Sequence, residues 1–210
     1  MENAPASGST MSGDTSNDTI VPDPVFGAVE QATLRRAAGC VELCEPIASG
    51  EEHVSATVAR LLRRALAEIA TLPPALQVTP QAGLVVGAAL RSLGEWQAAI
   101  APLERASLAG PRAARLEAWM GLGWCWKRLD RVDLAIAALD SGLEVFPGLP
   151  VLHYNLACYH SLAGNVPAAI DHLQKAIELD DTFRDLTGTE RDFDAIRSDP
   201  RFVAVVHVAV

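Results

Sequence analysis

Few residues of this chain stand at spacings that do chemistry. His153 and His160 lie seven apart with Cys158 between them, which sets three residues of metal-ligating type on two turns of one helix. Protein zinc sites draw their ligands from spacings such as CxxC pairs or HExxH, and neither occurs here. The two histidines are therefore expected to pack, with no metal bound. Cys40 and Cys44 are one helical turn apart and have no second ligand pair, so they read as small core hydrophobes. Asp180, Asp181 and Asp185 read as a solvated helix end. There is no GxxxxGK[ST] loop and no GxGxxG turn to cradle phosphate, and no serine has a GxSxG context. No cluster of titratable groups in one pocket is visible, so the chain is expected not to be an enzyme and to carry no cofactor.

Composition narrows the classes further. The 210 residues include 17 basic and 26 acidic ones, a net charge of -9. Such a surface repels phosphate, and with only 5% aromatics it offers few platforms for stacked bases, so nucleic acid is not an expected partner. At 50% apolar the chain has enough to bury a core. No apolar run approaches the ~20 residues of a membrane span. The first 24 residues have no Lys or Arg and no apolar stretch, unlike a secretory signal or a transit peptide. With four scattered cysteines, this makes the cytoplasm the expected compartment. Arg outnumbers Lys 15 to 2, as expected of a GC-rich, bacterial genome.

These residues need elements to position them. Residues 1–27 are rich in Ser, Thr, Asp, Pro and Gly, and are expected to form a disordered acidic tail. Residues 28–79 read as a helical pair. Val29, Leu34, Ala37, Ala38, Val41 and Leu43 suggest a first helix ending near Glu45-Pro46. Val54, Val58, Leu61, Leu62, Ala65, Leu66 and Ile69 mark a second from about Glu51 to Leu72.

From there the chain repeats itself. The run starting at Trp119 lies over the run starting at His153 at an offset of 34 residues without a gap. Leu122-Gly123 falls on Leu156-Ala157, Ala135-Ile136 on Ala169-Ile170, and Leu139 on Leu173. An earlier run starting at Gly83 joins after a two-residue slip around Arg112–Arg115, with Val86-Gly87, Ala99-Ile100 and Leu103 in the same places. Small residues recur where two helices must cross closely: Gly87, Gly123 and Ala157, then Ala99, Ala135 and Ala169. Gly94, Asp130 and Gly164 stand where a first helix must stop and turn.

This self-similarity resembles the tetratricopeptide repeat, a helix-turn-helix of 34 residues. The pattern's Trp falls on Trp119, its Leu-Gly pair on Val86-Gly87, Leu122-Gly123 and Leu156-Ala157, and its closing Pro on Pro111 and Pro147. The resemblance implies an all-α right-handed α-solenoid, with repeats at 80–113, 116–149 and 150–183. Residues 28–79 would serve as an N-terminal cap or dimerisation segment, and 184–210 as a C-terminal cap. In that cap Ser198 or Asp199 is the expected N-cap before Pro200, with Phe202, Val203 and Val206 closing the last repeat.

The resemblance also implies a binding groove along the first helix of each repeat. Its positions fall on Leu84, Ala88 and Arg91, on Met120, Trp124, Lys127 and Arg128, and on Tyr154, Asn155, Cys158 and Ser161. Members that clamp a peptide carboxylate carry Lys, Arg and Asn at such places, whereas most residues here are apolar. The expected ligand is an apolar peptide or helix of another protein, with a few cations steering an acidic flank. Two roles follow from the resemblance: a non-enzymatic interaction scaffold, or a chaperone for an exported protein, dimeric through the N-terminal helices.

Overall fold

The computed structural model describes residues 25–48 and 54–207. The expected tail therefore lies almost wholly outside the described residues. Among the described residues every regular element is helical. In order they are α1 (Ala28–Ala48), α2 (Ala56–Ala70), a short α3 (Pro74–Gln77), α4 (Pro80–Ser92), α5 (Trp96–Leu108) and α6 (Arg112–Arg128). Then come α7 (Val132–Val145), α8 (Pro150–Leu162), α9 (Val166–Leu179), α10 (Thr182–Leu186), a 3-10 turn (Arg191–Phe193) and α11 (Pro200–Val206). Helices adjacent in sequence pack as pairs: α1 on α2, α4 on α5, α6 on α7, and α8 on α9. Successive pairs meet through α2 on α4, α5 on α6, and α7 on α8. None of these helices is long and apolar enough to cross a membrane.

The starts are set by side chains that satisfy free N–H groups. Ser55, Thr79, Asn165 and Asp199 each accept from the backbone N–H two or three residues on, and Pro80, Pro150, Pro167 and Pro200 occupy first turns where an N–H is not needed. Ser55 thus places the start of α2 at Ala56. The expected start near Glu51 falls outside the described residues. Helix α1 continues to Ala48, past Pro46, because a proline in a last turn removes only one hydrogen bond.

Three turns are built alike. At Gly94, Asp130 and Gly164 the backbone is left-handed, with φ of 77°, 58° and 73°. Each following N–H, from Glu95, Arg131 and Asn165, donates 2.9 Å back to the carbonyl of Leu90, Trp126 and His160. These are the outer bonds of a Schellman closure. Inside the pairs the crossings leave no room. A Cβ on Gly87 would stand 2.5 Å from Cγ of Leu103, and one on Gly123 3.1 Å from Cδ2 of Leu139.

The core falls into two clusters. One joins α1, α2 and α4 through Ala37, Val41, Cys44, Leu62, Ile69, Val85 and Ala89. The other runs from α5 to α11 and includes Leu103, Leu122, Leu139, Leu156, Leu173, Phe193 and Phe202. Two apolar expectations are corrected. Val29 and Leu43 are 76% and 78% exposed, because α1 buries the stripe Thr33, Ala37, Val41 and Cys44 instead. Val203 is 41% exposed, and Phe202 alone of the α11 apolar residues is fully buried.

Candidate functional site

The expected groove positions lie on α4, α6 and α8, and they meet different environments. On α4, Leu84 is half-buried and Ala88 buried. Arg91 pairs with Glu45 near the end of α1. Beside this pair, burial and the neighbouring Glu45 hold the Glu117 carboxyl of α6 above its usual range, with Arg91 offsetting part of the effect.

On α6, Trp124 is 40% exposed and Met120 is half-buried. Asn155 of α8 turns its Nδ2 toward Met120 Sδ at 3.7 Å while donating to the Val151 carbonyl at 2.9 Å. Met120 and Asn155 thus meet across α6 and α8, and Trp124 stands one helical turn on from Met120. Lys127 lies 5.7 Å from the Trp124 ring centre and 5.8 Å from that of Tyr159, and pairs with Asp192. Arg128 points elsewhere: its guanidinium lies 4.5 Å over the ring of Trp96 on α5.

On α8 the remaining positions are covered. Tyr154 is buried between Phe183, at 5.0 Å between ring centres, and Phe193, at 5.7 Å. Cys158 and Ser161 are buried too, and Ser161 Oγ donates to the Asp192 carbonyl at 2.7 Å. Tyr154, Cys158 and Ser161 therefore line the seat of the segment after α9 rather than an open groove. Asp192 and Phe193, which make that seat, carry no repeat signature. The clue available in the sequence was the apolar pair Phe193 and Ile196 inside a charged stretch.

Cys158, Glu190 and Asp192 bring a sulfur and two carboxylates within 4.8 Å of one another. Their chemistry is spent on packing. Burial pushes the Cys158 thiol well up, the Lys127 ammonium neutralises Asp192, and Glu190 accepts from the Asp192 N–H. The cation that the carboxylates attract is thus supplied by the chain itself.

The histidines meet on the α8–α9 pair. His153 Nδ1 lies 3.0 Å from His172 Nδ1, and the His160 ring stacks on His172 with centres 5.4 Å apart. His172 had no signal in the sequence, since its place in a second helix became meaningful only once α9 packed on α8. Comparison with protein-family models and with curated proteins finds no match to this chain.

Proposed function

We propose that this chain is a tetratricopeptide-type α-solenoid acting as a non-enzymatic protein-interaction module. It binds an apolar peptide or helix of a partner protein along α4, α6 and α8, through Leu84, Met120, Trp124 and Asn155. The observation that carries this reading is the exposed face of Trp124 beside half-buried Met120 and Asn155. Tryptophan offers a large, stiff contact area, and methionine adapts to irregular ligands. The consecutive helix pairs with three like turns support the solenoid. Arg91 and Lys127, expected to steer an acidic flank, are already engaged by Glu45 and Asp192, so the apolar contact has to carry the affinity.

The test is capture from host lysate with wild type and a folded Met120→Ala/Trp124→Ala variant. The captured partner is then mapped to a segment and that segment synthesised. The reading expects the isolated segment to be apolar and to bind the variant at least about tenfold more weakly, a loss of ~1.4 kcal/mol. Equal binding to both proteins removes the site from α6.

A second reading, the chaperone dimeric through the N-terminal helices, draws support from the exposure of Val29 and Leu43 on α1. Light scattering separates the two: a monomer at working concentration ends the dimeric chaperone reading.

A further inference from the structure

We propose that His153 and His172 form a two-histidine site for a divalent late transition-metal ion, copper or nickel, on the α8–α9 pair. Their Nδ1 atoms lie 3.0 Å apart and share a hydrogen bond that a bound metal ion would replace. A metal about 2.1 Å from each nitrogen would then subtend close to a right angle. Tetrahedral zinc would hold the same two nitrogens about 3.3 Å apart, whereas tetragonal copper or nickel prefers neighbouring ligands at right angles.

The surroundings prepare both rings. His153 Nε2 faces the Pro147 carbonyl at 3.3 Å, so its proton belongs on Nε2 and its Nδ1 accepts the proton of His172 Nδ1. A metal ion would displace that shared proton, which passes through water to His172 Nε2. A carbonyl holding the far nitrogen of a ligand histidine fixes both tautomer and ring orientation. The His172 ring also stacks on that of His160, nearly parallel at 16°. The charged groups that act on His172 are Asp140 of α7 and Asp171 of its own helix, both anionic, together with His153 and His160. All three histidines are only half-buried, so the remaining coordination positions are open to water. The proposal departs from the expectation that His153 and His160 only pack: in it His160 packs against the ligand His172.

The test uses the full chain titrated with Ni²⁺ alone in a non-coordinating buffer, followed by calorimetry. One strong site per chain is expected, weakened at least about tenfold by His153→Gln and by His172→Gln and unchanged by His207→Gln, which alters an exposed histidine elsewhere. Because a variant can fail for reasons of folding, electron paramagnetic resonance of the wild-type Cu²⁺ complex gives an independent readout. Coupling to two imidazole nitrogens is expected. Uptake retained by both folded variants, no uptake by wild type below millimolar Ni²⁺, or a copper spectrum with fewer than two imidazole nitrogens overturns the proposal.

Discussion

Lys127 of α6 and Asp192 of the turn after α10 form an ion pair across 65 residues of sequence. Both side chains are largely covered, and the Ser161 hydroxyl holds the Asp192 carbonyl from the other side. This pair ties the segment after α9 to the middle of the chain. Asp192→Ala leaves a partly buried ammonium without its partner and should cost about 1–3 kcal/mol in urea unfolding. A double-mutant cycle with Lys127→Ala should return a coupling above about 0.5 kcal/mol. Coupling near zero would show the pair to be solvated and the segment held by Phe193 alone.

Asp130 occupies the left-handed position that glycine fills at the two equivalent turns. An L-residue there carries a steric cost of roughly 1–2 kcal/mol, part of which its polar side chain offsets. Asp130→Gly should therefore stabilise by up to about 1 kcal/mol, and Gly94→Ala should destabilise by a similar amount. Thermal melts of the two variants should move in opposite directions. Movement in the same direction would contradict a shared turn geometry.

The inner crossing at Gly87 is the tightest of the glycine positions on α4 and α6. Gly87→Ala pushes a methyl against Leu103 and should cost about 1–3 kcal/mol by overpacking. Leu122→Ala empties a core position instead and should cost about 2–5 kcal/mol. A loss below about 0.5 kcal/mol at Leu122 would place that side chain outside the core.

Alkaline pH should unfold the protein through groups it keeps neutral. Burial raises the Cys125 thiol to about 11 and pushes Cys158, Tyr154 and Tyr159 up as well. The unfolded chain releases its thiol protons near 9.0 while the native one holds them. The stabilisation is therefore full below that value and fades as pH rises through about 11. Urea midpoints measured from about pH 8 to about pH 10.5 should fall, and fall less steeply in Cys125→Ala. An unchanged slope in that variant would mean that water reaches the thiol.

On the acid side the sign reverses. Burial lowers His160 and His172 from 6.5, the neighbouring histidines lowering His172 further, so the unfolded chain binds protons that the folded one refuses. Stability is full above 6.5 and is lost as pH falls below it. His172→Gln should flatten this loss in midpoints compared across that range. Parallel curves for wild type and variant would remove His172 from the linkage.

The helical pairs were legible because their signals are local. Small residues at crossings, a turn residue after each first helix and the recurrence of Ala99, Ala135 and Ala169 each act within one hairpin. The two-residue slip at Arg112–Arg115 is also physical: it falls in the first turn of α6, which runs to 17 residues against 13 for α4 and α8. The added turn is held by Arg115 donating to the Ser107 carbonyl at 3.0 Å and by Arg112 lying 4.3 Å over the Phe146 ring. The site was less legible because coverage is a long-range property. Nothing at Tyr154, Cys158 or Ser161 announces that Phe183, Asp192 and Phe193 will return onto them. Arg128 shares a helix with Lys127, yet one residue of rotation sends it to Trp96 instead.

The segment beyond α9 is locked by guanidinium groups. Arg184 donates to the Val205 and Val206 carbonyls, and Arg197 to those of Thr187, Gly188 and Glu190. Beneath these, Phe193 and Phe202 touch with ring centres 5.4 Å apart. The aromatic surface of α8 at Tyr154 is thereby buried inside the chain, covered by Phe193 instead of being offered to a neighbour.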